Sequence, residues 1–192
     1  PETAALLDVL EEQTERLSAL VNDLLSLTNL DDLERSARVD LSQLLTQVAG
    51  TLEEAARAQN IAIQLECKPV TVLGNAILLE RALFNLMENA VKYNRPGGTV
   101  TVRATRAGAY AHVEVCDEGV GIPPEFREQI FEPFFRVDKS RSRQLGGAGL
   151  GLSLVRAIAE LHGGSVRAGA VQGGGSRFLL VLPCPEEAQC KI

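Results

Sequence analysis

The sequence predicts an α+β chain in which helices gather on one face of a mixed β-sheet, with a further long helix ahead of them. Two observations predict it. Apolar residues recur at helical spacing in four separate segments, and period-two alternation marks several short runs among the later ones. These patterns follow one another as two helices, strands, helix, hairpin, loop, helix, hairpin, and that mixture defines the class.

From Thr3 to about Thr28 a heptad can be written, with Thr3, Leu10, Leu17 and Leu24 at one seam position and Leu6, Gln13, Leu20 and Leu27 at the other. Leu7 and Val21 widen that stripe to the face of a helix in a bundle, so this helix needs partners beyond the sequence given. The stretch "TNLDDLERSARVD" interrupts the pattern and is the candidate boundary. It divides a helix and linker at 1–38 from a domain at 39–183, which a tail at 184–192 follows. Asp40 with Gln43 reads as an N-cap and its reciprocal partner, opening an amphipathic helix through Leu41, Leu44, Leu45, Val48 and Leu52 that ends near Gln59. "IAIQLE" and "VTVLG" read as strands on either side of Pro69. Helical spacing returns from about Ala76 to Tyr93 and stops before Pro96, Gly97 and Gly98. "TVTVRATR" and "AHVEV" alternate as half-buried strands, and Gly108 in the linking "AGAY" suits a hairpin. After two glycine-containing loops, a helix runs from about Gly151 to Leu161, Gly163 and Gly164 stop it, and "SVRAGA" and "SRFLLVL" supply two more strands.

A length of 192 residues fits one ordinary domain plus an extra element. No apolar run approaches the roughly 20 residues of a membrane-spanning helix, and the first residues lack the basic and apolar regions of a signal peptide. The expectation is a cytoplasmic protein that meets a membrane only through segments outside this sequence. A net charge of −6 disfavours a nucleic-acid partner, because phosphate neutralisation needs clustered Lys and Arg. Cys67, Cys116, Cys184 and Cys190 have neither paired zinc-site spacing nor disulfide density and read as reduced thiols.

Three segments point to chemistry. On a helical wheel centred on Asn85, Asn89 falls at about 40°, Lys92 at about −20° and Arg81 at about −40°, opposite Leu79, Leu83, Leu86 and Ala90. The polar face therefore collects two carboxamides and two cations. A carboxamide oxygen suits Mg²⁺, which takes its other ligands from water and substrate phosphates, and Lys92 can reach such phosphates. The same face taken alone also suits a solvated helix. "CDEGVGIPPE" sets Asp117 at a strand end before Gly119 and Gly121, where a carboxylate can accept a hydrogen bond from an exocyclic amine such as that of adenine; an ordinary glycine turn has the same pattern. "GGAGLGL" runs into the helix "SLVRAIAEL", turning backbone N–H groups and a positive helix end toward an anion.

In this order and at this spacing, "NLMENAVKY", "DEGVGI", "FEPFFRVD" and "GGAGLGLSLVRAI" resemble the N, G1, F and G2 boxes of sensor histidine kinases, within the wider ATPase superfamily that includes type II topoisomerases and mismatch-repair ATPases. The resemblance covers about Asp40 to Pro183 and implies the Bergerat α/β sandwich, with ATP and Mg²⁺ as cofactors. It implies that Asn89 is the Mg²⁺ ligand and that Asn85 faces the phosphates and the catalytic centre. Lys92 and Tyr93 would flank the nucleotide, Asp117 would read the adenine amine, and Gly119, Gly121 and Ile122 would line the base pocket. Phe131 and Phe134 would pack the hinge of a lid, with Phe135 and Arg136 beside the nucleotide. Arg141 or Arg143 would approach the transferred phosphoryl group, and Gly147, Gly149, Leu150 and Gly151 would cradle the phosphates.

The chain departs from the pattern in places. Asn85 stands where the superfamily's hydrolases usually carry a water-activating Glu, which implies transfer to a protein group rather than hydrolysis. Ala148 stands where many relatives have a Thr, so one phosphate contact is expected to be missing. The heptad resembles the second helix of the family's dimerisation and phosphotransfer bundle, whose first helix bears the acceptor histidine; only His112 and His162 occur here. His112 alternates with Glu114 on the polar face of a strand, and His162 lies in a last helical turn, where a cation suits the dipole. Both read as structural, so the sequence is expected to be a piece of a longer chain. The resemblance implies a homodimer, an acceptor-histidine helix of the same kinase and a response-regulator protein as partners. A non-catalytic nucleotide-sensing module of the same fold is the alternative.

Overall fold

The computed structural model describes residues 37–137 and 149–185. The N-terminal heptad, Cys190, and the segment holding Arg141, Arg143, Gly147 and Ala148 lie outside the described residues. Strand β1 (Ala37–Asp40) leads into helix α1 (Leu41–Ala58), followed by β2 (Ala62–Cys67), β3 (Thr71–Gly74) and α2 (Ala76–Lys92). Strands β4 (Thr99–Ala107) and β5 (Tyr110–Asp117) form a hairpin, two short 3₁₀ turns follow at Pro124–Phe126 and Gln129–Phe131, and α3 (Gly151–Leu161), β6 (Ser165–Ala170) and β7 (Ser176–Pro183) complete the order.

Residues 37–40, read from sequence as part of a polar break, are a strand: Ala37 to Asp40 pair antiparallel with Gly74 to Thr71. Too short to declare itself by alternation, β1 exists because β3 offers it an edge. Asp40 then caps α1, accepting the Ser42 backbone N–H at 2.8 Å and the Ser42 hydroxyl at 2.6 Å. Ser42 is thus the close capping partner, and the Gln43 backbone that the sequence pairs with Asp40 also donates to its carboxylate. The Ser42 hydroxyl is the main reason the Asp40 carboxyl lies below its ordinary 3.8.

Five strands form the main sheet in the order β2-β4-β5-β7-β6, with β2 parallel to β4 and the other pairs antiparallel. Its inner face is apolar, with Val100, Val102 and Ala104 on β4, Ala111, Val113 and Val115 on β5, and Phe178, Leu180 and Leu182 on β7. These side chains join Leu45, Val48 and Leu52 of α1, Leu79, Leu83 and Leu86 of α2, and Leu154, Val155 and Ile158 of α3 in one core. The opposite face carries ion pairs, Arg103 with Glu66 at 2.7 Å and Arg177 with Glu114. Such exposed pairs contribute about 0–1 kcal/mol each, so the stability of the fold rests on the helix-covered side. No helix among the described residues is long and apolar enough to cross a membrane.

Candidate functional site

The site begins where α2 meets the start of α3. Asn75 caps α2 by accepting the Leu78 N–H at 3.1 Å, and the apolar stripe from Leu78 to Val91 seats the helix on the core. Asn85 is on the other side of the wheel, yet it is only 7% exposed. The cause is α3: a Cβ on Gly151 would lie 2.5 Å from Asn85 Oδ1, so the helix start rests on the carboxamide and a larger residue would displace it. Asn85 Nδ2 donates to the Arg81 carbonyl at 2.8 Å, which turns Oδ1 toward α3. The α3 N-terminus has no side-chain cap; Leu150 is buried and contributes backbone alone, and the Ser153 hydroxyl donates to the Leu150 carbonyl at 2.8 Å. A helix start without a side-chain cap among the described residues can receive an anion on its first N–H groups. Asn89 is half-buried one turn beyond Asn85, and Lys92 follows with Nζ 5.8 Å from the Tyr93 ring centre.

At the end of β5, Asp117 is 3% exposed, and its Oδ1 accepts the Gly119 N–H at 2.8 Å and the Ser176 N–H at 3.1 Å. Burial raises this carboxyl above its ordinary value, against the opposing pull of those donors. Gly119 is pressed against the end of α2, where a Cβ would stand 2.0 Å from the Tyr93 carbonyl oxygen. Gly175 has φ +95°, and a Cβ there would stand 1.9 Å from the Asp117 carbonyl oxygen. Gly175 and Ser176 were missed in the sequence reading, though "GGGS" before an alternating strand was a visible signal. Gly121 and Ile122 continue the loop half-buried, Ile122 packing on the core.

The segment after it is arranged partly as expected. Phe131 is buried edge-on to Phe178, ring centres 6.3 Å apart, beneath the Arg156 guanidinium. Phe134 does not pack a hinge: it is 65% exposed with a left-handed φ of +65°, and its N–H donates to the Gly149 carbonyl at 2.8 Å. Phe135 takes the packing role, its ring 5.7 Å from that of Phe126. Burial raises the Tyr93 phenol, and the nearby Arg136 charge opposes this, so the F-box arginine does lie beside the α2 end. The structure thus brings together Asn85, Gly151, Leu150 and Gly149 at one end and Tyr93, Asp117 and Gly119 at the other. Asn89 and Lys92 lie on α2 between these ends and Arg136 lies near Tyr93, whereas Arg141 and Gly147 lie outside the described residues.

Among the described residues no group of three His, Cys, Asp or Glu side chains can hold a metal ion. The neutral donors on this face are the carboxamides of Asn85 and Asn89, which fit a cation that brings waters and nucleotide oxygens of its own, as Mg²⁺ does. The two histidines differ in setting. His162 is 8% exposed; its Nε2 accepts the Asn75 N–H at 3.1 Å, which assigns the proton to Nδ1, 2.7 Å from the Ile158 carbonyl. Both ring nitrogens are thus engaged by backbone groups, in keeping with a structural histidine. His112 sits half-buried on the outer face of β5. Cys67 and Cys116 are half-buried and burial raises both thiols, so they remain protonated.

Residues 74–186 match the family model described as histidine kinase-, DNA gyrase B- and HSP90-like ATPase. The chain belongs to this family of ATP-binding domains, in its sensor histidine kinase branch. It is 38% identical over 180 residues to the sensor-like histidine kinase SenX3 of Mycobacterium tuberculosis, a match covering 92% of this chain and 44% of that protein. It is 32% identical over 187 residues to the sensor histidine kinase WalK of Bacillus subtilis, covering 94% and 31%. The chain therefore spans less than half the length of these relatives. Among solved structures, full-length ShkA in complex with AMPPNP aligns over 95% of this chain and 39% of its own, at 31% identity and a TM-score of 0.78. The mycobacterial sensor histidine kinase MprB aligns over 77% and 97%, at 33% identity and a TM-score of 0.67.

Proposed function

We propose that this chain binds Mg·ATP and transfers its γ-phosphoryl group to a histidine other than His112 and His162, on a dimerisation helix of the intact kinase, from which it passes to an aspartate of a response regulator. The observation that carries this reading is the contact of Asn85 with the uncapped start of α3. It sets a neutral amide, where a hydrolase needs a carboxylate base, against a row of N–H donors. Phosphates docked on those donors lie along the face of α2 that bears Asn89 and Lys92, while Asp117 is buried at the other end as the acceptor for the adenine amine.

Asn89 would hold the Mg²⁺ that accompanies ATP, and that ion would supply charge neutralisation at the phosphates. The protein's part is positioning: the α3 N–H groups and Lys92 hold the phosphates, and Asn85 orients the γ-group without activating water. An imidazole nitrogen forms the new N–P bond as the bond to the β,γ-bridging oxygen breaks, ADP leaves, and the ring's proton passes to solvent. The intact protein is proposed to be a homodimer with this domain in the cytoplasm. Incubating the chain with an acceptor-helix protein and γ-labelled ATP should label that protein, and Asn89→Ala should reduce labelling by about 10- to 100-fold. Release of free phosphate at an undiminished rate with no labelled protein, under nucleotide saturation, would sink the kinase reading.

A further inference from the structure

The mechanism above leaves a buried polar cluster unused at the C-terminal end of α2. Asn94, just past the helix, is 8% exposed. Its Oδ1 accepts the Arg95 N–H at 2.9 Å and the Glu118 N–H at 3.3 Å, and its Nδ2 donates to the Thr99 carbonyl at 3.2 Å. One side chain therefore ties the end of α2 to the start of β4 and to the residue following Asp117. A Cβ on Gly98 would lie 2.5 Å from Asn94 Oδ1, so the turn is shaped around this amide. Glu118 answers from the other side, with Oε2 accepting Arg95 Nη2 at 2.7 Å and the Thr99 N–H at 3.2 Å. The Val120 N–H closes on the Tyr93 carbonyl at 3.4 Å.

We propose that Asn94 is a positioning residue for nucleotide binding, setting the spacing between the phosphate-facing side chains of α2 and the adenine-facing loop at Asp117. The proposal rests on the nucleotide reading of the site. The two halves have separate anchors. Asp117 is held to β7 by the Ser176 N–H and to its own loop by the Gly119 N–H whether or not Asn94 is present. Asn89 and Lys92 move with α2. The Asn94 amide is the buried side chain that joins them, so its loss leaves each half-site formed but lets their separation relax. A ligand that touches one half is then unaffected, and a ligand that spans both loses affinity, because it must restore the spacing at the expense of its own binding energy.

The test measures displacement of a fluorescent ADP analogue from the whole 192-residue chain by adenosine and by Mg·ADP. Asn94→Ala should weaken Mg·ADP about tenfold and adenosine less than about twofold, a split that general destabilisation does not produce. Asn94→Asp keeps both acceptor bonds but turns a carboxylate oxygen toward the Thr99 carbonyl, and should recover only part of the lost Mg·ADP affinity. Glu118→Ala, at an exposed side chain whose loss does not threaten folding, should show the same split in smaller measure. Parallel loss of both ligands, or no loss of either, overturns the proposal while leaving the nucleotide reading intact. If the parent chain binds neither ligand, the nucleotide reading falls and the proposal with it.

Discussion

Asp117→Asn separates what the buried carboxylate does for the fold from what it does for a nucleotide. In the free protein both N–H donors, from Gly119 and Ser176, converge on Oδ1. An amide oxygen can accept both in the same place, so the loop keeps its partners. The substitution also removes a charge that burial disfavours, since the Asp117 carboxyl is raised above 3.8 chiefly by desolvation. A raised acid contributes its stability below the unfolded value and loses it as pH rises through the folded value. The variant should therefore match the parent near pH 3.8 and become the more stable of the two as pH rises, levelling off above the folded value.

Nucleotide binding should move the other way. A carboxylate accepting from an exocyclic amine makes a charge-assisted bond worth about 1.5–3 kcal/mol, which corresponds to about 10- to 150-fold in affinity at ~1.4 kcal/mol per decade. The amide presents a donor to the adenine amine, so Asp117→Asn should lose about that factor for ADP. Inosine diphosphate offers a carbonyl in place of the amine and should gain relative to ADP. Calorimetric titration with ADP and IDP, beside thermal melts at several pH values, reads both halves. An ADP-to-IDP preference that survives the substitution would refute the assignment of Asp117 to the base; a variant less stable than the parent throughout would refute the claim that the charge opposes folding.

Further substitutions test the supports of the site. His162→Ala leaves the Asn75 N–H without its acceptor and empties a ring-sized space against Gly74, and should cost about 2–4 kcal/mol, a fall of roughly 5–15 °C in Tm by calorimetry. Gly175→Ala drives a Cβ into the Asp117 carbonyl at a left-handed position, and should cost at least ~2 kcal/mol in denaturant unfolding and weaken ADP as Ser176 withdraws. Asp40→Ala removes the α1 cap at about 1 kcal/mol. Because the Asp40 carboxyl is lowered, that deficit should be full above 3.8 and close as pH falls through the folded value, seen as converging melting curves.

The parts of this molecule that sequence made legible are those decided within one element. The alternation of β4 and β5 and the helical spacing of α2 and α3 state their own periods, and the structure keeps their bounds to within a residue or two. What was not legible is decided between elements. A wheel places Asn85 opposite the apolar stripe but contains no information that α3 begins on top of it; the trace in sequence is a glycine at position 151. β1 is four residues whose pairing lies on β3. His162 reads only as a helix-end residue because nothing local reveals that the amide of Asn75, 87 positions away, donates to its ring. The glycine boxes were legible as boxes, while the closeness that requires them, such as Gly119 against Tyr93, belongs to the tertiary fold.

These between-element contacts have a common beneficiary. Helix α2 is fixed at its N-terminus by His162, in its middle by Gly151 against Asn85, and past its C-terminus by Asn94. Only the middle contact touches the phosphate end directly. The two outer ones differ in what lies beyond them: His162 joins α2 to the far end of α3, away from the nucleotide, whereas Asn94 joins it to the loop of Asp117. Loss of His162 should therefore lower stability and leave the ratio of adenosine to Mg·ADP affinity where it was. Loss of Asn94 should change that ratio even at temperatures where the protein is fully folded. A helix held only for stability would respond alike to both substitutions, and measuring the ratio in both distinguishes a scaffold from a gauge between the two halves of the site.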